Sequence, residues 1–249
     1  MVFSVNVDGI KYKVTSFKTM LTVLNPDVFM VQGTKLVEIG FLKIDGYDIF
    51  EKVRKDKGGG GIAIGVRPSL EPTWVNEGYK ATETLSVVIN VEKRKIRMCV
   101  GYGPQNVASD EVKNKFWEYL SNDVSEAKAN NEEYFLEMDS NSWVGGSLLP
   151  NDPRAQNNNG LRLENFLKEN SDLILGNAIN KCKGLITRSR FKDGKLEQSV
   201  IDHVVVSDNL EKDIESILID EKGLHKIVSY KKDASATESD HNGILTTLR

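Results

Sequence analysis

Apolar residues along this chain fall in short runs between polar clusters, and their spacing switches between two and about four. Residues 3–7 alternate apolar and polar positions, the period of a strand with one buried face. Val14, Phe17, Leu21 and Leu24 share one helical face. Asn25-Pro26 ends that helix, because proline disfavours helical geometry in the residue before it. Residues 28–31, 62–66 and 85–91 read as further strands. A turn over 92–95 leads from the last of these into a strand over 96–102, a hairpin pattern. Val112, Phe116, Leu120 and Val124 recur every fourth residue and predict an amphipathic helix. A strand over 134–138 runs into Asp139. Residues 143–160, rich in Gly, Asn and Pro, predict a long surface loop, followed by a short helix over 161–167. Strands over 173–175, 200–206 and 244–248 complete the reading.

Strands outnumber helices, and hairpins mix with helical connections. The pattern predicts one α/β domain over residues 1–249, with two mixed sheets packed face to face and helices outside. Gly58 to Gly61 is too short to separate domains and reads as a turn before a strand. It lacks the Lys-Ser/Thr pair of a phosphate-binding loop.

Composition narrows the picture. The 249 residues carry a net charge of -3, which argues against a basic footprint over the whole surface but leaves local patches open. No apolar run reaches the length of a membrane span, and no basic-then-apolar leader opens the chain. Cys99 and Cys182 make neither a disulfide framework nor a zinc motif, and read as buried small hydrophobes in a reducing compartment. A nuclear or cytoplasmic monomer is expected.

The candidate chemistry sits in six polar clusters, most at the ends of apolar runs: Asn6-Val7-Asp8, Gln32-Gly33-Thr34, Tyr102-Gly103-Pro104, Asp139-Ser140-Asn141, Asp202-His203 and Ser239-Asp240-His241. Strand ends of a layered protein can converge on one surface, and a carboxylate-rich surface with histidine suits metal-assisted hydrolysis. Asp8 could bind a hard cation such as Mg²⁺; an Asp-Gly turn is the plainer reading. Asp139 and Asn141 lie two apart, on one side of an extended chain. Such a carboxylate could take a proton from water; an Asx-turn explains the triplet equally well. Asp202 lies in a strongly apolar run, where a charge is costly unless paired, and an imidazole is its natural partner. His203 then faces away and reads as half-buried and structural, His225 as a surface residue. Asp240 and His241 diverge, one toward a cation and one toward a phosphate, or form a solvated turn. The Tyr102 hydroxyl could donate to a phosphate oxygen, or the ring could be a rim aromatic.

In this order the clusters resemble the exonuclease–endonuclease–phosphatase superfamily, which includes apurinic/apyrimidinic endonucleases, pancreatic deoxyribonuclease and inositol phosphatases. Asn6 to Gly9 resembles its first motif, and Gln32-Gly33-Thr34-Lys35-Leu36 its Gln-Glu-Thr-Lys-Leu motif. Tyr102 to Pro104, Met138 to Asn141 and Ser199 to Asp202 resemble Tyr-x-Pro, Gly-Asp-Phe-Asn and Ser-x-Ile-Asp; Ser239 to His241 matches Ser-Asp-His. The stretches 151–160 and 184–188 look most like endonuclease domains of non-long-terminal-repeat retroelements, and the chain ends just past its last motif, as an excised domain would.

The resemblance implies a four-layer α/β/β/α sandwich and divalent-metal phosphodiester hydrolysis of DNA with Mg²⁺ or Mn²⁺. It implies Asp139 as the base that activates water, with Asn6 and Asn141 holding the water and a phosphate oxygen. Asp8 and Asp240 would serve the metal; His241, oriented by Asp202, and Tyr102 would contact the phosphate. Lys35, Arg154, Arg188 and Arg190 are candidate nucleic-acid contacts, or solvated surface charges.

One departure matters most. Gly33 stands where the family has its metal-binding glutamate. The expectation is a nuclease of reduced activity, whose cleavage Gly33→Glu raises by orders of magnitude. A non-catalytic nucleic-acid-binding module is the alternative; a phosphatase of phosphoinositides or small phosphoesters is a third reading.

Overall fold

Strands dominate, as the period-two runs predict. The computed structural model describes residues 1–54, 59–76, 82–230 and 236–249; Gly58 of the glycine run lies outside them. The chain begins with β1 (Val2–Asn6), α1 (Val14–Leu24), β2 (Val28–Gln32), β3 (Asp48–Lys52), β4 (Ile62–Val66), β5 (Thr73–Asn76), β6 (Thr84–Val91) and β7 (Arg94–Tyr102). Next come α2 (Asp110–Ala129), β8 (Glu133–Asp139), α3 (Asn158–Glu169), β9 (Leu173–Leu175), β10 (Cys182–Lys183), β11 (Arg188–Lys192), β12 (Lys195–Ser199) and β13 (Asp202–Ser207). It closes with α4 (Asp208–Glu211), β14 (Ile214–Ile219), β15 (Val228–Tyr230), β16 (Ala236–Glu238) and β17 (Ile244–Leu248).

Two large sheets result. One has the order β10-β14-β17-β1-β2-β4-β3, the other β5-β6-β7-β8-β13-β9. Both are mixed: β1 pairs parallel with β2 and antiparallel with β17, and β7 pairs parallel with β8 and antiparallel with β6. The sheets face each other across a core that includes Val2, Met30, Ile64, Val87, Met98, Phe135, Val204 and Ile217. On the outer face of the first sheet, Phe17, Met20 and Leu21 of α1 pack on Phe3, Val5 and Phe29. On the outer face of the second, Phe116, Leu120 and Val124 of α2 and Leu163 and Phe166 of α3 pack on Leu136, Met138 and Val205. Each such fully buried Phe, Leu or Val stabilises by roughly 1.5–3 kcal/mol relative to exposure. The predicted α/β/β/α sandwich is therefore the observed architecture.

Some boundaries differ from the sequence reading. The 92–95 turn is a two-residue connection, because Val91 pairs with Arg94 and Glu92 takes φ 56°. The helix expected over 161–167 starts at Asn158 and runs to Glu169. Its true start is set by Asn157, whose side-chain oxygen accepts the Gly160 N–H at 2.7 Å. A hairpin, β11–β12, projects where no strand was predicted; its polar, exposed faces carry no apolar period. Cys99 is buried but Cys182 only half-buried, and His203 is completely buried rather than half-buried. The His203 ring meets the Ser140 hydroxyl at 2.8 Å and is structural. His225 is half-buried, 3.3 Å from Asp220. No described helix is long and apolar enough to cross a membrane.

Candidate active site

The inner faces of both sheets turn polar at one end of the core. Along β1 the inward positions run Val2, Ser4, Asn6; along β7, Met98, Val100, Tyr102; along β8, Phe135, Glu137, Asp139. Register then sets the neighbours: Tyr102 lies beside Asp139 in the parallel β7–β8 pair, and Asp202 opposite Asp139 in the antiparallel β13–β8 pair. Opposed residues share a face, so Asp139 and Asp202 enter the same pocket while His203 points outward with Met138.

Hydrogen bonds fix the Asp139 carboxylate. Asn6 Nδ2 donates to Oδ2 at 2.7 Å and the Asn141 backbone N–H to Oδ1 at 3.1 Å. His241 closes the pocket: its Nδ1 meets both Asp202 oxygens at 2.9 and 3.0 Å. Its Nε2 lies 3.8 Å from Asp139 Oδ2 and 3.7 Å from Asp240 Oδ1. These gaps are too long for direct hydrogen bonds.

The electrostatics separate two roles. Burial, and then the neighbouring Asp202, push the Asp139 carboxyl up to about 6, against the pull of His241 and Asn6. Burial works against the His241 cation, but Asp202, Asp139 and Asp240 outweigh it and raise the imidazole to about 9. Near neutral pH the pair is therefore a carboxylate base beside an imidazolium. Burial, with Asp139 and Glu83, raises the Tyr102 phenol above its ordinary range, so it stays a neutral donor. Below Asp139, the buried Glu137 carboxyl is pushed well up by burial and by Asp202, and stays neutral.

Asn141 departs from expectation. It takes φ 50°, not an extended conformation, and its Nδ2 donates to Gly103 O at 2.9 Å. Gly103 permits this contact, since a β-carbon there would lie 2.5 Å from Ser140 O.

Asp8 and Asp240 sit at the rim, each held by a basic side chain. Lys35 Nζ is 2.5 Å from Asp8 Oδ1. Arg188 reaches Asp240 Oδ2 through Nε at 2.7 Å and Nη2 at 2.6 Å. Lys13, buried and not anticipated from the sequence, donates to the carbonyls of Val7 at 2.6 Å and Asp8 at 3.3 Å. Burial lowers its pKa, opposed by the attraction of Asp8 and Asp240. Burial opposes the Asp8 charge, but Lys35, Lys13 and His241 hold that carboxyl below its usual range. Arg190 pairs with Glu197 at 2.6 Å, and Arg154 lies over the Trp143 ring and donates to Gln198 O at 3.0 Å. Sequence reasoning also missed Thr187, whose hydroxyl accepts the N–H groups of Ile201 and Asp202 at 2.9 and 3.1 Å and so seats Asp202.

Two places could hold a metal ion. Asp139, Asp202 and His241 bring one ligand atom each within 4.8 Å of one another. Each Asp139 oxygen accepts one hydrogen bond and Asp202 accepts from His241 Nδ1, which takes up that nitrogen but leaves a lone pair on the carboxylate oxygens. The corner formed by Asp8, residue 33 and Asp240 has two carboxylates, no third, and three basic groups close by. Both carboxylates are already paired with a cation and a third cation lies behind them, so the corner has no surplus negative charge to hold a divalent ion. As arranged, the Asp8–Asp240 corner does not fit a resident Mg²⁺ or Mn²⁺ ion; Asp139, Asp202 and His241 remain the group that could hold one.

No protein-family model and no curated protein matches the chain. Solved structures do. A 3'-5' exonuclease, NExo, from Neisseria meningitidis is similar over 99% of this chain and 98% of its own, at 16% identity and a TM-score of 0.74. An AP endonuclease from Archaeoglobus fulgidus is similar over 99% and 98%, at 16% identity and a TM-score of 0.74. The endonuclease domain of TRAS1, a telomere-specific non-LTR retrotransposon, is similar over 100% and 97%, at 17% identity and a TM-score of 0.68. The chain has the exonuclease–endonuclease–phosphatase fold.

Proposed function

We propose that this chain hydrolyses phosphodiester bonds in nucleic acid, nicking DNA slowly and as a monomer. The observation that carries the reading is the buried base–imidazolium pair, Asp139 beside the Asp202-held His241, at the end of the core. Asp139 removes a proton from water as its oxygen attacks phosphorus, while Asn6 and the Asn141 N–H keep the carboxylate aimed. The bond from phosphorus to the leaving oxygen breaks, and that oxygen takes a proton from solvent water to leave as a hydroxyl. Charge growing on the phosphoryl oxygens is met by His241 Nε2–H and the neutral Tyr102 hydroxyl, fixed donors in a largely buried pocket. No step in this scheme runs through a metal ion.

The hairpin β11–β12 supports a polymeric substrate. It rises from the site itself, with Arg188 bridged to His241 and the Ser189 N–H donating to Asp240 O at 2.8 Å. It carries Lys192 and Lys195, and Phe191 pairs across it with Leu196, the first 79% and the second 51% exposed. Exposed aromatic and basic groups together suit bases and phosphates.

Plasmid nicking by the natural chain and by Asp139→Asn, with Mg²⁺, Mn²⁺ or excess chelator, tests the reading. Cleavage that falls at least about a hundredfold in Asp139→Asn supports it. The paired rim carboxylates favour a second reading, a module that binds nucleic acid without cutting; salt-dependent binding with no cleavage in any condition would establish it. Turnover of small phosphoesters without action on DNA would favour a phosphatase.

A further inference from the structure

We propose that Lys13, Lys35 and Arg188 form a built-in cationic corner that binds the phosphodiester in place of a divalent ion. The inference rests on the phosphodiester reading above.

Three observations converge on it. First, a side chain at position 33 is strained in this geometry: Gly33 has φ +65°, and a β-carbon there would lie 2.4 Å from Asn6 Oδ1, so that Asn6 would have to move. Second, the surrounding backbone is built around that glycine. The Gly9 N–H donates to Gly33 O at 2.7 Å, the Thr34 N–H to Gly61 O at 3.0 Å, and the Lys35 N–H to Gly60 O at 2.7 Å. Lys35 itself has φ +53°, and this turn delivers its ammonium to Asp8. Third, the charges count differently from those of a metal site. Three carboxylates around a divalent ion leave one negative charge. Here Asp8 and Asp240 face two ammonium groups and a guanidinium. Asp139, Asp202 and the His241 imidazolium alongside bring one negative charge, so the site is balanced with no ion present. It lacks the surplus of carboxylates that draws a divalent cation, and the exposed Lys35 and Arg188 heads can meet a phosphodiester anion directly.

Lys35 and Arg188 can reach a ligand, because their side chains are 46% and 27% exposed. Lys13 stays behind them, tied to the Val7 and Asp8 carbonyls. The chemical class recognised is a nucleic-acid phosphodiester held by ammonium and guanidinium donors, the latter able to contact two phosphate oxygens at once.

The test has two arms. In the first, a labelled duplex oligonucleotide is titrated with the natural chain in excess EDTA and again in excess Mn²⁺. Affinity should agree between the two within about threefold, Lys35→Met should weaken it about tenfold or more, and Lys35→Arg should restore it. In the second, Mn²⁺ alone is titrated calorimetrically. The natural chain should show no saturable binding, and Lys35→Met with Arg188→Met should gain it, because Asp8 and Asp240 are released. Oligonucleotide binding that requires Mn²⁺, or saturable Mn²⁺ binding by the natural chain, overturns this inference and leaves the phosphodiester reading standing. Binding in neither EDTA nor Mn²⁺ overturns both.

Discussion

The Asn6 side chain fills the space that a β-carbon on Gly33 would need, with Asn6 Oδ1 only 2.4 Å from that position. The same side chain accepts the Asp8 N–H at 3.0 Å and donates to Asp139 at 2.7 Å. Residue 33 is thus coupled to the Asp139 carboxylate through one amide. The sequence leads one to expect that Gly33→Glu raises activity; the crowding around Gly33 argues for the opposite outcome. A side chain at φ +65° costs about 1 kcal/mol or more, and it displaces Asn6. Gly33→Glu should lower the melting temperature by several degrees and reduce nicking rather than raise it. Thermal unfolding and a nicking assay on the purified variant check both.

Activity should follow a bell between about pH 6 and pH 9. In the proposed scheme Asp139 works as a carboxylate, so the rate should rise as pH passes about 6. His241 works there as the cation, so the rate should fall as pH passes about 9. Stability carries a linked sign. The imidazole pKa is raised on folding, so its stabilisation is complete below about 6.5, the unfolded value, and is lost as pH rises through about 9. A pH–rate profile for single-turnover nicking tests the two limbs.

Asp202→Asn keeps the shape of the pocket and removes the charge that raises His241. The upper limb should move to lower pH, and the rate should fall by about 10²–10⁴-fold. A loss of rate without movement of the limb would mean that Asp202 acts only through packing.

Far from the pocket, the completely buried Arg97 is held by Asp123 at 2.9 Å and Glu132 at 2.7 Å. Ser86 and Tyr134 donate to the other Asp123 oxygen at 2.7 and 2.8 Å. Asp123→Ala leaves that guanidinium to Glu132 and Glu126 alone and the buried Ser86 and Tyr134 hydroxyls without their acceptor, and should cost about 3 kcal/mol or more in urea unfolding. Nicking per folded molecule should be unchanged.

Phe191→Ser on the exposed hairpin should weaken DNA binding by about 1–3 kcal/mol if the ring stacks on a base. Melting temperature should stay within a degree or two of the natural chain. An electrophoretic shift series beside a thermal scan measures both.

The layered fold was legible because its core strands alternate cleanly: Val2, Ser4 and Asn6 face inward while Phe3 and Val5 face α1. Asp202 was read from the cost of a lone charge in an apolar run, and the structure puts it opposite Asp139 and against His241. Three features were not legible. Asn141 was read as extended, but the Gly103 carbonyl draws it into a left-handed conformation. Lys13 lies in a turn of polar residues with no period to mark it as buried. The ion pairs of Asp8 with Lys35 and of Asp240 with Arg188 join segments 27 and 52 residues apart, and only the folded register brings them together.

The most direct test of the whole account is the single-turnover cleavage rate of a duplex oligonucleotide by the natural chain and by Asp139→Asn, each purified identically and measured at pH 7.5. The account predicts measurable cleavage by the natural chain and a loss of about a hundredfold or more in the variant. Equal rates in the two proteins would contradict it.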